Sequence, residues 1–257
     1  MSQCIFENNV LKKIKAFKEK KILVSMSGGL DSTVLAYLLL KNNFKISVAH
    51  VNYSLRGNES LKNEKFVRDF CKSNNLNLHL KKIPKGELNK SIQIEARKIR
   101  YDWFKKVLIE FSYDLITTAH HLDDNVENIL IGMFRNPSRN NLTLIPEQNI
   151  NILRPFLNEK KDDIISYAKA NKIDFSVDSS NSQDYYLRNR IRNILIPEIE
   201  KIDKNFTEKV SEIIESISST KIDFVIDNLF IRELDYTKIK KRENLYQTFS
   251  FLNCTLQ

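Results

Sequence analysis

The amino-acid sequence predicts an α/β protein whose parallel β-sheet carries helices on both faces. Two observations support this fold class. Short apolar runs such as Ile22 to Val24 show no polar alternation, as expected of strands that are buried on both faces. These runs also alternate with helical patterns, which is typical of parallel strands joined by helical crossovers.

The strands and helices can be placed in order along the chain. Strands are predicted at 21–26, 45–52, 77–83 and 114–119, and helices at 1–18, 32–42, 60–74 and 92–111. After Pro155 the pattern becomes mostly helical, over 158–171, 186–203, 206–219 and 238–253. A large domain is therefore predicted over 1–205, followed by a short helical C-terminal segment over 206–257.

Charge and cysteine content narrow the classes of partner and cofactor. The 257-residue chain has a formal net charge of +9, which favours a polyanionic partner such as nucleic acid, although lysine-rich surfaces also serve solubility. Its three cysteines are scattered and form no CxxC pair, so neither a zinc or iron–sulfur site nor a disulfide framework is indicated. With no signal-peptide pattern and no apolar run of membrane-spanning length, we expect a cytoplasmic protein without a membrane partner.

Two of the five glycines are adjacent, between the first strand and the first helical pattern after it. The loop reads SGGLDS, and its candidate phosphate-binding residues are Ser27, Gly28, Gly29, Leu30, Asp31 and Ser32. Glycines allow a ligand to approach the backbone, and the N–H groups at a helix start favour an anion. The alternative is a tight turn capped by Asp31 or Ser32.

A second polar cluster follows the fourth predicted strand, in the segment TTAHHLDDNVENILIGMFR at 117–135. On a helix, His120, Asp124 and Glu127 would share one face, and an apolar face would be buried, formed by Val126, Ile129, Leu130, Met133 and Phe134. The polar face suits Mg²⁺ binding, an ammonium group or proton transfer. A capped helix with acidic residues at its positive end explains the pattern equally well.

Two arginine-bearing segments are candidates for binding phosphate or RNA. In QIEARKIRYDWF, Arg97 or Arg100 can clamp a phosphate, although an ordinary amphipathic helix gives the same pattern. In DYYLRNRIRNILIP, the candidates for contacts with an RNA backbone and its bases are Arg188, Asn189, Arg190 and Arg192, together with Tyr185 and Tyr186. The alternative for this second segment is a solvated basic face.

These segments carry a resemblance to a known family. The loop SGGLDS resembles the SGGxDS pyrophosphate loop of the N-type ATP pyrophosphatases. The further segments HVNYSLRG, EARKIRYDWF, AHHLDDNVEN, ILRPFL and VDSSNSQDYYLRNRIRNILIP occur in the order seen in the tRNA(Ile)-lysidine synthase family. The resemblance spans about residues 20–200 and implies a Rossmann-like PP-loop fold of the adenine nucleotide alpha hydrolase type.

The resemblance implies a specific reaction. ATP adenylates the carbon-2 oxygen of the wobble cytidine in the CAU anticodon of tRNA(Ile) and releases pyrophosphate, and L-lysine then attacks carbon 2 and displaces AMP to give lysidine. It also implies ATP and Mg²⁺ as cofactors, L-lysine as substrate and a homodimer. The domains would be a catalytic domain over 1–205 and a helical arm or truncated tRNA-binding domain over 206–257.

The resemblance also implies roles for individual residues. The catalytic residues would be Asp31, Asp124, Arg97 and His120, with Asp31 binding Mg²⁺. The lysine ammonium would be bound by Asp124 and Glu127. The anticodon loop would be contacted by Arg188, Asn189, Arg190 and Arg192.

The chain departs from the family pattern at Tyr53, Asn128 and Asn136, where the family usually has His, Thr and Gly. Only about fifty residues follow the core, which implies either a minimal form or a missing part of the tRNA contact. Three alternatives remain: a cytidine thiolase, disfavoured by the cysteine spacing, a tRNA-binding module without catalysis, and a synthetase for a small metabolite.

Overall fold

The computed structural model describes residues 2–55, 57–84, 92–135, 144–176 and 187–214. The helices are α1 (Ser2–Ile14), α2 (Leu30–Lys41), α3 (Asn58–Ser73), α4 (Ile92–Glu110), α5 (Leu122–Arg135), α6 (Lys161–Ala170), α7 (Leu187–Arg190) and α8 (Ile196–Ile202). A 3₁₀ turn at Lys15–Phe17 follows α1, a π-helical turn at Ile191–Leu195 joins α7 to α8, and residues 206–214 are also helical. The strands are β1 (Ile22–Ser25), β2 (Ile46–Asn52), β3 (Leu78–Lys82), β4 (Leu115–Thr117), β5 (Gln148–Asn149) and β6 (Ile152–Leu153).

The six strands form one mostly parallel sheet in the order β3-β2-β1-β4-β6-β5. Strand β1 is central and pairs in parallel with β2 on one side and β4 on the other, and only the β5–β6 pair is antiparallel. The chain therefore leaves β1 in one direction and later returns to its other side at β4. This change of direction is a topological switch point, and ligands of open α/β sheets bind beyond the carboxyl ends of the strands there.

Two hydrophobic clusters show that helices cover both faces of the sheet. Val24 of β1 belongs to a cluster that includes residues of α1, α2, α3 and α6. Its neighbour Leu23 belongs to a second cluster with Phe104 and Val107 of α4. Because successive side chains of a strand point to opposite faces, the continuous apolar run of β1 fills both clusters. The predicted fold class is confirmed.

The four predicted strands and the helices before residue 112 are confirmed to within a few residues. The two short strands β5 and β6 were not predicted, since two residues are too few to produce a periodic signal. The predicted helix at 186–203 is interrupted by the π-helical turn. Four predicted features lie outside the described residues: the helix at 238–253, Cys254, Tyr185 and Tyr186.

The prediction for α5 was partly wrong. The helix begins at Leu122, so His120 lies in the loop before it rather than on its face. Val126 is buried, but Met133 and Phe134 are 55% and 63% exposed, and Glu127 is fully buried. The face of α5 that carries Glu127 is therefore buried because it lines a polar site. Hydrophobic periodicity cannot predict this, because it treats any polar face as exposed to solvent.

The described fold belongs to a compact unit that ends at Thr207, and residues 208–214 belong to a second unit. The division into domains at 205 stays a prediction. Among the described helices, none combines the length and the apolar character that crossing a membrane requires.

Candidate active site

The loop between β1 and α2 is held by its own hydroxyl groups. The Ser32 hydroxyl accepts a hydrogen bond from the Ser27 N–H and donates one to the Gly29 carbonyl, both at 3.1 Å. The Thr33 hydroxyl donates to the Gly29 carbonyl at 2.9 Å. Gly29 precedes α2 in an extended conformation, so Leu30, Asp31 and Ser32 form its first turn. Backbone N–H groups of a first turn have no acceptor within the helix and so favour an anion.

Gly28 is required by its backbone conformation and packs closely against α3. Its φ is +93°, a region that side chains rarely adopt, and an added Cβ would lie 3.4 Å from Asn63 O and from Val67 Cγ2 of α3. Its carbonyl accepts a hydrogen bond from the Ser176 N–H at 2.9 Å. The loop is thus packed between α3 and the segment at residue 176, which explains the first of the paired glycines.

The second polar group follows β4, which is the strand beside β1. The Thr118 hydroxyl lies 2.8 Å from His120 Nδ1. His121 caps α5: its backbone N–H donates to Asp124 Oδ2 at 3.0 Å, and its carbonyl accepts from the Asp124 N–H at 3.1 Å. This local capping holds Asp124 at the start of the helix and directs the two histidines toward the loop after β1.

The two adjacent histidines have opposite pKa shifts. Burial lowers the pKa of His120 to about 4, and the positive charges of Arg154, Arg100 and Arg97 add to this effect against Asp124. Burial opposes the charged form of His121 too, but a hydrogen bond from its ring to Asp123 and the carboxylates of Asp124 and Asp31 raise its pKa. Near neutral pH, His120 is therefore a neutral imidazole.

Two carboxylates of α5 are paired with arginines from the segment after residue 186. Arg192 Nε lies 2.5 Å from Glu127 Oε1, and another of its nitrogens lies 3.3 Å from Asp124 Oδ1. Arg188 lies 3.6 Å from Glu127 Oε2 and donates to Asn128 Oδ1. Burial raises the pKa of Glu127 even though Arg192 opposes the shift. Glu127 Oε2 is buried without a hydrogen-bond partner, so the site holds an acceptor that an ammonium group can satisfy.

A third helix contributes a cation. Lys161 is the first residue of α6, and its ammonium group forms an ion pair with Asp31 Oδ1. Its backbone N–H donates to Asp123 Oδ2 at 3.1 Å. The other Asp31 oxygen lies 4.0 Å from His121 Nε2. Asp31 thus lies between the Lys161 ammonium group and the His121 imidazole at the start of α2.

These groups surround one cavity of about 590 Å³ at the carboxyl ends of β1 and β4. Its lining residues are Ser25, Ser27, Gly29, Leu30, Asp31, Ser32, Asn63, Arg100, Ala119, His120, His121, Asp123, Glu127, Lys161, Phe175, Ser176, Arg192 and Ile196. The loop after β1 and the carboxylates of α5 thus face the same space, as expected for a phosphate-bearing ligand and a second, cationic one.

The structure brings together most of the residues predicted for this site. Arg97 lies over the Tyr101 ring, at 5.1 Å, and does not line the cavity, whereas the alternative Arg100 does. Arg190 is exposed and Asn189 half-buried, and neither lines the cavity. Arg188 and Arg192 are paired with groups of α5, and their contact with RNA stays a prediction.

Sequence reasoning missed several lining residues. His121 could have been found from the His-His pair. Lys161 and Ser176 carry no local signal, because their partners Asp31 and Gly28 are far away in the sequence. Of the family departures, Tyr53 donates a hydrogen bond to the Ala96 carbonyl at 3.1 Å, and Asn128 accepts one from Arg188.

The residues present fit a Mg²⁺ ion of the kind that accompanies phosphates. The described part of the chain contains no group of three or more His, Cys, Asp or Glu side chains arranged to hold a metal by themselves. Mg²⁺ usually takes only one or two protein carboxylates and completes its shell with phosphate oxygens and water. Asp31 at the phosphate loop is a ligand of that kind.

The protein has a mostly parallel sheet with a glycine-rich loop at its topological switch point, and a cluster of titratable groups lies opposite that loop. These features are typical of α/β proteins that bind phosphorylated ligands. A family model described as a PP-loop domain matches residues 2–199. The chain belongs to the PP-loop domain family.

Individual relatives refine this placement. The chain is 36% identical over 198 residues to a tRNA(Ile)-lysidine synthase of Bacteroides thetaiotaomicron, a match that covers 76% of this chain and 46% of the relative. It is 38% identical over 194 residues to a tRNA(Ile)-lysidine synthase of Staphylococcus epidermidis, covering 71% of this chain and 44% of the relative. The chain thus spans about half the length of the curated relatives that it matches.

A solved structure is similar in fold. The U34-tRNA thiolase of Methanococcus maripaludis with its [4Fe-4S] cluster superposes with a TM-score of 0.65, covering 83% of this chain and 78% of that one. Its sequence is 17% identical, so the similarity shows the fold alone.

Proposed function

We propose that this protein uses ATP to join L-lysine to carbon 2 of the wobble cytidine in the CAU anticodon of tRNA(Ile), as a tRNA(Ile)-lysidine synthase. The single observation that carries the proposal is the identity of 36–38% to curated enzymes of that name over more than two thirds of this chain. The cavity supports it, because the phosphate loop and the Glu127 carboxylate, which is able to bind an ammonium group, line the same space.

The first chemical step forms an adenylate. The carbon-2 oxygen of the cytosine attacks the α-phosphorus of ATP, and pyrophosphate leaves with the electron pair of the broken P–O bond. The loop from Ser27 to Ser32 binds the phosphates, and Mg²⁺ at Asp31 supplies charge neutralisation when bound. The guanidinium of Arg100, which lines the cavity, lies on the side of His120 and suits the adenylate's negative charge.

The second step forms the carbon–nitrogen bond. The ε-amine of L-lysine attacks carbon 2, and AMP leaves with the former carbon-2 oxygen. Free lysine carries an ammonium group, so a proton must be lost before attack. Asp124 and Glu127 bind this ammonium, and Glu127, whose pKa is raised by burial, takes up the proton.

The arginines of α7 and of the π-helical turn contribute to tRNA binding in this proposal. Arg190 is exposed and can meet phosphate at the surface, whereas Arg192 lines the cavity that the target base must enter and Arg188 pairs with Glu127, which lines it too. Cytosine in an anticodon loop is single-stranded and can be inserted into a pocket. A homodimer and a cytoplasmic location remain expectations.

The thiolase alternative is disfavoured by the cysteines. Cys4 is exposed on α1, and Cys71 is buried on α3, where burial raises the pKa of its thiol to about 11. A thiol with so high a pKa is a poor nucleophile at neutral pH. Neither cysteine lines the cavity.

The test is incorporation of lysine into tRNA. Purified protein is mixed with ATP, Mg²⁺, labelled L-lysine and unmodified tRNA(Ile) bearing CAU, with initiator tRNA(Met) as the control RNA. We expect label in tRNA(Ile) and release of AMP. Label in both tRNAs would retain the chemistry but contradict the stated tRNA specificity. Binding of tRNA(Ile) without label would overturn the proposed reaction and favour a binding module.

A further inference from the structure

The ammonium group of Lys161 lies beside the phosphate loop but belongs to a different part of the chain. It pairs with Asp31, 130 residues away, and its side chain is one-third exposed to the cavity. The backbone of Lys161 is fixed by the bond from its N–H to Asp123, while its long side chain can rotate. The charge is therefore placed at the cavity without being buried.

Among the described residues that line the cavity, Lys161 is the lysine or arginine whose ion-pair partner, Asp31, belongs to the phosphate loop. The loop from Ser27 to Ser32 offers neutral hydroxyl and N–H donors and has no lysine or arginine. Among the described lining residues, Arg192 is paired with Glu127 and Asp124, and Arg100 lies on the side of His120. As pyrophosphate leaves ATP, negative charge develops on the β- and γ-phosphates at the loop. A lysine ammonium group stabilises such charge as a point charge.

The ion pair with Asp31 indicates how the Lys161 ammonium group is held before ATP binds. A carboxylate that binds Mg²⁺ gives up its bond to an ammonium group, because both cations compete for the same oxygen. Once Mg²⁺ takes Asp31, the Lys161 side chain is free to turn toward the phosphates, which lie beside the start of α2.

We propose that Lys161 is a phosphate-binding residue of the adenylation step, held by Asp31 until Mg²⁺ and ATP arrive, and then bound to the β- and γ-phosphates that leave as pyrophosphate. This inference rests on the proposed function for the reaction. It concerns the phosphates alone and requires no proton transfer by Lys161: the P–O bond breaks toward pyrophosphate, whose charge the ammonium balances.

The test compares ligands with and without the β- and γ-phosphates, using the full chain. Binding of α,β-methylene-ATP with Mg²⁺ and of AMP is measured by calorimetry for wild type, Lys161→Gln and Lys161→Arg. Loss of a charged hydrogen bond predicts that Lys161→Gln weakens α,β-methylene-ATP about tenfold to a hundredfold and leaves AMP within about twofold. Lys161→Arg keeps the charge and most of the affinity.

The matched control is Lys169→Gln. It removes the same charge from the last turn of the same helix, at an exposed position outside the cavity, and should change neither affinity. Equal weakening of AMP and the ATP analogue by Lys161→Gln would overturn the proposal, since it would indicate a general loss of site structure. An unchanged or tighter affinity of Lys161→Gln for the ATP analogue would also overturn the proposal, because Lys161 would then serve only as a counter-ion of Asp31.

A second variant, Asp31→Asn, covers the case in which Lys161→Gln fails to fold. In Mg²⁺-free buffer, Asp31→Asn removes the ion pair that holds Lys161 and should tighten binding of inorganic pyrophosphate. An unchanged or weaker affinity for pyrophosphate in this variant would overturn the proposal. These assays need neither tRNA nor lysine. A wild-type protein that binds the ATP analogue but makes no lysidine would refute only the proposed function. A wild-type protein that does not bind the analogue would refute both the proposed function and the role of Lys161.

Discussion

At the scale of single residues, the paired histidines show how neighbours in sequence acquire different chemistry. His120 and His121 differ in their partners: the first lies near three arginines, and the second near three aspartates. The sequence places both beside the end of a strand but does not say which will be charged. That difference comes from residues on α2, α4, α5 and the segment at Arg154.

The histidine pKa shifts predict a specific pH dependence. The pKa of His120 is lowered to about 4, so its stabilising effect is present above the unfolded pKa of 6.5 and is lost as pH falls toward 4. The pKa of His121 is raised, so its effect is present below 6.5 and is lost as pH rises through the folded value. Two-dimensional NMR of the imidazoles should show one titration near pH 4 and one above 6.5.

His121→Gln assigns the second resonance, because the pKa values of His50 and His79 are lowered rather than raised. Loss of the high-pH titration in this variant is the expected result. If all four histidines of wild type titrate between pH 6 and about 6.5, the electrostatic description of the site is wrong.

Glu127 gives a second prediction at this scale. Its carboxylate is fully buried and holds an unsatisfied oxygen, so Glu127→Gln should raise the KM for L-lysine about tenfold or more, with the KM for ATP little changed. Steady-state lysine incorporation measures both constants. Glu198→Gln, on the exposed surface of α8, is the control and should change neither. A parallel rise in both KM values would contradict a role in binding lysine.

At the scale of secondary-structure elements, the site is built where three helices begin. The starts of α2, α5 and α6 bring Asp31, Asp123 and Lys161 to the cavity at the ends of β1 and β4. Capping residues, glycines and strand ends are local signals, so the first two helix starts could be predicted. The start of α6 could be predicted as a helix but not as part of the site.

The loop before α2 predicts unequal effects for two glycine substitutions. Gly28→Ala should cost about 1–3 kcal/mol in free energy of unfolding, because its φ is +93°. Gly29→Ala is the matched control, since its φ of −74° suits any residue and an added Cβ would meet only Ser27 Oγ, at 3.5 Å, and it should change the free energy of unfolding by less than about 1 kcal/mol. Urea denaturation followed by circular dichroism measures both. Equal costs would show that the positive φ of Gly28 is unimportant.

At the scale of the whole molecule, positive charge is concentrated before the predicted domain boundary. Residues 208–257 contain seven Lys or Arg and eight Asp or Glu, so the net charge of +9 comes from the part before them. A polyanionic partner such as tRNA would therefore be attracted mainly by that part.

This distribution predicts the behaviour of a shortened chain. Residues 1–207 alone should unfold cooperatively, keep the affinity for α,β-methylene-ATP, and still bind tRNA with an affinity that falls steeply as salt is raised. Thermal unfolding and filter binding at low and high salt provide the measurements. Loss of cooperative unfolding would contradict the domain boundary, and loss of all tRNA binding would assign the electrostatic contact to residues 208–257.

By itself, the sequence determined the alternation of strands and helices, the phosphate loop and the acidic start of α5, because these depend on neighbours within a few positions. The tertiary structure alone decided that Lys161 meets Asp31 and that Arg192 meets Glu127, 65 residues apart. It also decided that Glu127 is buried while Met133 and Phe134 are exposed. The physical reason is that sheet order and helix packing, which bring distant segments together, are set by long-range burial and leave no periodic trace at the residues concerned.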